Sequence, residues 1–219
     1  MGKRPRGLGH FRVPSGKLDA RTIPWAAGTL VHRVHSIRFA SNSFNPTGLG
    51  NARFSPIQNA DGEIIPTLYA GETEECALME TVFHDVPFAS GYKTMRKGKF
   101  ERLVHSRLTI AAPLCLVDLS TIALRRLGIE RKYLIDSSKV HYPESRGWAE
   151  ALYIQKPNGQ GLCWTSRQHD GARAVMLFGD RVPEGALVPE GESRFLIQHG
   201  FLIDSVITLA DRLGVTIVS

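Results

Sequence analysis

The sequence predicts an α+β fold in which mixed short strands and helices form a single domain. Three observations lead to this prediction. The 219 residues are 42% apolar, which is enough for one full hydrophobic core. Twenty-one glycines and twelve prolines divide the chain into many short elements, which disfavours a helical bundle. Strand-like and helix-like segments also follow one another without the strict βαβ alternation of a doubly wound fold.

Residues 1–25 are expected to form a basic, irregular N-terminal arm, and residues 26–219 the folded domain. The arm contains Pro5, Pro14 and Pro24 together with several cations. No apolar run follows the cations, so this segment is not a secretory signal. No segment approaches the roughly 18 uncharged apolar residues that a membrane helix needs. We therefore expect a cytoplasmic protein without membrane association.

The first predicted elements surround a polar loop. TLVHRV at residues 29–34 alternates apolar and polar side chains, which predicts a half-buried strand. Residues 41–52 are rich in Asn, Gly and Ser, which predicts a loop. IIPTLYA at residues 64–70 predicts a short strand. Thr73 then predicts the N-cap of a largely buried helix through Phe83, because two glutamates follow in its first turn.

The rest of the chain alternates between strands and helices of ordinary length. Each prediction rests on an apolar run or an amphipathic pattern that is bounded by Gly, Pro or a capping residue. The predicted strands are 102–110, 114–118, 161–166, 174–178 and the terminal VTIV. The predicted helices are 120–127, 143–154 and 201–213.

The spacing of cysteines and histidines predicts no metal centre. Cys76, Cys115 and Cys163 lie far apart, as expected for free thiols in a reducing compartment. The eight histidines form no i, i+4 pair of the kind that binds zinc on one helix face.

The positive charge of the chain favours an anionic ligand or partner. The formal net charge is +6 and the isoelectric point is near 9.4. No helix-turn-helix, zinc-knuckle or aromatic–basic repeat accompanies this charge, so direct nucleic-acid binding is not expected. A basic nucleic-acid-binding module without catalysis remains the alternative from a different class of function.

Five residues combine the chemistry of an anion site with that of a carboxylate. Arg33 and Arg53 could clamp a pyrophosphate through bidentate hydrogen bonds. Glu80 lies in the predicted buried helix, where a carboxylate is costly unless it is paired or hydrogen-bonded. Tyr69 and Ser166 complete the set. Each of the five residues also has a purely structural interpretation. Arg33 could snorkel to the surface and Arg53 could be an ordinary loop arginine, whereas Glu80 could form a buried ion pair, Tyr69 could lie at the edge of the core and Ser166 could cap a turn. No G-x-S-x-G, Walker or G-x-G-x-x-G pattern is present.

Four runs of sequence resemble the RES domain, which is named for its Arg, Glu and Ser. They are HRVH, NARFSP, LYAGETEECALMETVFHDV and SRQHDGARAVMLFGDR, and the resemblance covers roughly residues 29–182. Phe54 stands where many members carry Trp, which keeps an aromatic side chain. The matching positions are Arg33, Glu80 and Ser166 for the namesake residues, with Arg53 and Tyr69 between the first two.

The resemblance implies an ADP-ribosyltransferase-like core and a toxin of a toxin–antitoxin pair that consumes NAD⁺. It implies cleavage of the nicotinamide–ribose bond by phosphorolysis or hydrolysis, with ADP-ribosyl transfer to a protein target as the alternative. NAD⁺ is then a substrate, inorganic phosphate is a candidate co-substrate, and no further cofactor is expected. The expected protein partner is an acidic antitoxin that covers the active site, and a homo-oligomer is left open.

The resemblance also implies roles for the five residues. Glu80, Arg33 and Ser166 would be catalytic, with Glu80 stabilising an oxocarbenium-like ribose or holding its 2′-hydroxyl. Arg53 and Tyr69 would bind substrate. Arg33 and Arg53 would hold the pyrophosphate, or Arg53 would instead receive inorganic phosphate. Tyr69 would stack on nicotinamide or ribose, and Ser166 would hydrogen-bond the carboxamide or ribose.

Overall fold

A computed structural model of the protein describes residues 12–87 and 89–219. Within these residues the chain forms eleven strands and five α-helices. The strands are β1 (Thr22–Trp25), β2 (Leu30–Ser36), β3 (Thr67–Gly71), β4 (Lys93–Arg96), β5 (Leu103–Ile110), β6 (Leu114–Asp118), β7 (Gly161–Thr165), β8 (Arg173–Phe178), β9 (Leu187–Pro189), β10 (Arg194–Phe195) and β11 (Val215–Val218). The helices are α1 (Glu74–Thr81), α2 (Thr121–Leu127), α3 (Arg131–Leu134), α4 (Tyr142–Gln155) and α5 (Gly200–Arg212).

Nine of the described strands build one mixed sheet. Its order is β1-β6-β7-β8-β3-β2-β5-β10, and β9 also pairs with β5. The strands β6 and β7 run parallel, whereas β2, β3, β5 and β8 are joined by antiparallel pairs. A smaller sheet pairs β4 with β11. Because β3 lies between β2 and β8, Arg33 on β2 and Tyr69 on β3 come from neighbouring strands near the middle of the large sheet.

Strand β8 shows that the middle of this sheet is buried on both faces. Its residues Ala174, Met176 and Phe178 pack in the same hydrophobic cluster as the apolar sides of α2 and α4. The alternate residues Val175 and Leu177 belong to a second cluster with side chains of β5 and β6. The nearly continuous apolar run of this strand follows from burial on both faces, since neither face meets water.

Helix α1 is held by its N-cap and by a third hydrophobic cluster. The Thr73 hydroxyl accepts a hydrogen bond from the Cys76 backbone N–H at 3.1 Å, which confirms the predicted cap. Leu78 and Phe83 are fully buried and pack in one cluster with apolar side chains of α5. With this apolar side fixed, Glu80 is directed towards a cleft beside β2 and β3.

The predicted mixed α/β single-domain fold class is confirmed, and most predicted elements form within a few residues of their expected bounds. The expectation of an irregular arm through residue 25 is wrong at its end, because Thr22–Trp25 form strand β1 on β6. Pro24 is tolerated there because β1 is an edge strand, and burial of Trp25 anchors the strand. Residues 1–11 of the arm lie outside the described residues. Within the described part of the chain, no helix combines the length and apolar character needed to cross a membrane.

Candidate active site

A cleft of about 430 Å³ opens beside strands β2 and β3, helix α1 and the polar loop that was predicted after β2. Four of the five residues predicted from the sequence line this cleft: Arg33, Arg53, Tyr69 and Glu80. The fifth, Ser166, is fully buried and contacts Glu80. The fold therefore brings residues from positions 33 to 166 together in one place.

Arg33 ties the polar loop to the sheet. It is only 8% exposed, and its Nη1 donates to the carbonyls of Ser41 at 2.6 Å and Ser43 at 2.8 Å. A longer contact of 3.4 Å reaches the carbonyl of Ala40. Burial lowers the pKa of Arg33 to about 10, so the guanidinium is still cationic at neutral pH. Within the described residues these bonds all leave from Nη1, so Nε and Nη2 are the nitrogens that a bound anion would engage.

Arg53 is held from the other side of the cleft. Its Nη1 donates to both the carbonyl and the hydroxyl oxygen of Ser137, each at 2.9 Å, and Arg167 donates to the same carbonyl. The Arg53 guanidinium carbon also lies 5.1 Å from the centre of the Tyr142 ring, which is a cation–π contact. Burial lowers the pKa of Arg53, while the nearby Tyr142 and Glu80 act in the opposite direction. The side chain is therefore fixed in position before any ligand binds.

Glu80 is oriented by a serine from the far end of the chain. The Ser166 hydroxyl donates to Glu80 Oε1 at 2.7 Å. The Ser166 hydroxyl oxygen in turn accepts the backbone N–H groups of Gln168 and His169, each at 3.0 Å. The hydroxyl hydrogen is thus committed to the carboxylate, and Ser166 acts here as a positioning residue for Glu80. Its predicted contact with a substrate stays a prediction.

Tyr69 joins the aromatic wall of the cleft to the loop that carries Arg53. Its hydroxyl accepts the backbone N–H of Phe54 at 3.2 Å, and burial raises the pKa of the phenol. The Tyr69 ring packs edge-on against Trp164, with a centroid separation of 6.3 Å. Phe54 packs against the same indole at 5.1 Å. Tyr69 and Trp164 therefore offer fixed aromatic surfaces to a ligand in the cleft.

The polar residues of the cleft that were not singled out as site residues from the sequence include His84, Asp85 and Lys139. The His84 ring has Nδ1 3.0 Å from Asp85 Oδ1 and Nε2 2.9 Å from the Tyr142 hydroxyl. Lys139 donates to the other oxygen of Asp85 at 2.7 Å. Burial acts to raise the pKa of Asp85, but hydrogen bonds from Lys139 and His84 hold it below the usual value. The only local signal was the four-residue spacing from Glu80 to His84, which suits one helix face.

The RES domain family profile matches residues 24–198, most of the chain. The chain belongs to the RES domain family. The resemblance inferred from the sequence is thereby confirmed. Membership is consistent with an NAD-related toxin family whose members are generally enzyme-like users of NAD. No curated protein matches the sequence.

The cleft of this RES domain carries a formal positive charge. Its lining contains three cationic side chains and two carboxylates, so one positive charge is in excess. Asp85 and Lys139 pair with each other, which leaves Arg33, Arg53 and Glu80 for a ligand. The arginines favour an anionic group, whereas Glu80 favours a centre that gains positive charge. A ligand that combines both features would match this cleft.

Proposed function

We propose that this RES domain cleaves the nicotinamide–ribose bond of NAD⁺ by phosphorolysis or hydrolysis, as the toxin of a toxin–antitoxin pair. The observation that carries the proposal is Glu80, oriented by Ser166, in one cleft with the two buried arginines Arg33 and Arg53. NAD⁺ has the two features that this cleft matches, because its pyrophosphate is anionic and its ribose becomes cationic during cleavage.

Binding energy would come mainly from the arginines. Arg33 and Arg53 each use Nη1 to hold the protein scaffold, so their other nitrogens can hydrogen-bond phosphate oxygens without movement of the side chain. Because these side chains are already fixed, they lose less conformational entropy when a ligand binds. The aromatic surfaces of Tyr69 and Trp164 suit the flat nicotinamide ring.

The chemistry then follows from the charge of Glu80. As the bond between C1′ and the ring nitrogen breaks, its electron pair leaves with nicotinamide, which departs neutral, and positive charge develops on the ribose. Glu80 stabilises this charge because a fixed carboxylate needs no reorientation during the reaction. An oxygen of water or phosphate forms the new bond to C1′, and in hydrolysis the surplus proton passes to solvent.

The deciding experiment is incubation of the purified protein with NAD⁺, with and without inorganic phosphate, followed by mass spectrometry of the products. Phosphorolysis gives nicotinamide and an ADP-ribose phosphate, hydrolysis gives nicotinamide and ADP-ribose, and transfer adds the mass of ADP-ribose to a protein. Glu80→Gln keeps the side-chain volume and should remove most turnover. Glu150→Gln, on α4 and outside the cleft, is the matched control and should retain it. Absence of nicotinamide release by the wild-type protein under every condition would refute the proposal.

We also propose that the protein partner is an acidic antitoxin that covers this cleft. The support is the net charge of +6 and the cationic excess of the cleft. Co-expression with the product of an adjacent reading frame should yield a complex in which NAD⁺ turnover is blocked and then restored at high salt. A complex that turns over NAD⁺ at the free rate would contradict coverage of the cleft.

A further inference from the structure

A second polar cluster lies beside the cleft, where two histidines and a glutamate converge from three elements. His32 lies on β2, His105 on β5, and Glu74 is the first residue of α1. The β2–β5 register pairs Val34 with His105 and His32 with Arg107, so the histidines are diagonal neighbours two positions apart. Each of the three residues offers a metal-ligand atom, and these atoms all lie within 4.8 Å of one another.

The spacing of the two ring nitrogens suits a shared metal ion. His32 Nδ1 and His105 Nε2 are 3.0 Å apart. Two nitrogens bound to one zinc ion at about 2.1 Å lie roughly 3.0 to 3.4 Å apart, depending on the angle at the metal. Glu74 Oε2 is 4.0 Å from His105 Nδ1, which is not the ring nitrogen that faces His32. A shared ion therefore requires His105 to bind through one nitrogen and the partly exposed Glu74 carboxylate to move towards that nitrogen. The same 3.0 Å also fits a hydrogen bond between the rings, which is the competing explanation.

The cluster borders its own cavity of about 160 Å³, on the side of α5. The carboxylates of Glu74, Glu190 and Glu192 line this cavity together with two arginines, Arg107 and Arg194. Negative charge is therefore in excess by one, which favours a cation despite the arginines. The cavity also leaves space for water or another ligand to complete the coordination of an ion held by three protein groups.

We propose that His32, His105 and Glu74 form a binding site for a divalent transition-metal ion of the zinc class. Two imidazoles and one carboxylate are a donor set that zinc accepts with an open coordination position. His32 lines both this cavity and the large cleft, so the ion would lie in the wall that separates them. The proposal does not depend on cleavage of NAD⁺. Sequence spacing could not reveal the site, because its ligands stand at positions 32, 74 and 105.

The test is metal binding by the intact protein after removal of metals with a chelator. Equilibrium dialysis with zinc should give one tightly bound equivalent per chain, and cobalt(II) should give an absorption spectrum typical of histidine ligation. His32→Asn and Glu74→Gln should each weaken zinc binding by at least about tenfold, since each removes a ligand. Both positions are only partly buried, so these variants should fold, as circular dichroism would show.

His169→Asn is the matched control, because His169 pairs with Glu75 at 2.9 Å but belongs to no group of three potential metal ligands within the described residues. This variant should bind zinc as the wild type does. Failure of the wild-type protein to bind one equivalent, or equal binding by His32→Asn, would show a hydrogen-bonded histidine pair without metal and overturn the proposal. The readout uses no NAD⁺, so it is independent of the outcome for the proposed activity.

Discussion

Replacement of Ser166 by alanine tests whether one hydroxyl both stabilises the fold and orients the candidate catalytic carboxylate. The substitution removes the donor to Glu80 and leaves the partly buried N–H groups of Gln168 and His169 without their acceptor. A hydrogen bond to a charged group contributes about 1.5–3 kcal/mol, and each unsatisfied buried group costs about 1–3 kcal/mol. The expected loss is smaller than the sum of these contributions, because Glu80 is partly exposed and the loop that carries Gln168 and His169 can relax. We therefore expect the free energy of unfolding to fall by about 3 kcal/mol.

The assays are urea denaturation and NAD⁺ turnover, with Ser120→Ala as the matched control. Ser120 also accepts a backbone N–H and donates to a carboxylate, but it caps α2 away from the cleft. The control should lose about 1 kcal/mol of stability and keep its turnover. Ser166→Ala should lose stability and most of its turnover together. Wild-type stability in Ser166→Ala would refute the hydrogen-bond reasoning, and full turnover in a destabilised variant would refute the positioning role.

Three further outcomes are expected. Arg33→Lys keeps the charge, but one ammonium group cannot hold the loop carbonyls and a phosphate together, so the KM for NAD⁺ should rise about tenfold in steady-state kinetics with a smaller change in kcat. An unchanged KM would argue that Arg33 serves the loop alone. Tyr69→Phe removes the acceptor of the Phe54 N–H, so chemical denaturation should show a loss of about 1–2 kcal/mol, whereas the ring and the turnover should be retained. For His35, burial and the charge of Arg33 lower the pKa to about 4 in the folded state, so between pH 6.5 and 4 the unfolded chain binds a proton that the folded chain does not. The free energy of unfolding should therefore fall by up to roughly 3 kcal/mol as the pH is lowered across this window, and a slope that His35→Asn leaves unchanged would exclude this histidine as its source.

The sequence predicted elements whose signals are local. Thr73 caps α1 as predicted, and the helix predicted at 120–127 forms as α2 with Ser120 as its N-cap. Strand β1 was missed because Pro24 and the surrounding irregular composition hide a segment that becomes a strand only by pairing with β6. The short β9 and β10 were also missed, since two or three residues carry no readable period and depend on β5 for their pairing.

The candidate site was predictable as a set of residues but not as a set of contacts. The family resemblance brought Glu80 and Ser166 together, although their hydrogen bond spans 86 positions. No local pattern indicated that Ser137 would hold Arg53 or that Lys139 would reach the cleft. Ser137 and Lys139 lie on one segment, and only the tertiary fold places that segment beside the cleft. The structure thus adds the scaffold that fixes each predicted side chain.

The strand order also sets when the cleft can exist during synthesis. Strand β3 pairs with β8 along five residues but with β2 at only one position, and β8 begins at Arg173. A growing chain that has passed Glu80 already contains both arginines and Tyr69, yet the strand that secures β3 has not been made. Such distant pairing is slow to form and comes late. If the protein consumes NAD⁺ as proposed, its cleft would form only after most of the chain has been synthesised, and an inhibitory partner would have that time to become available.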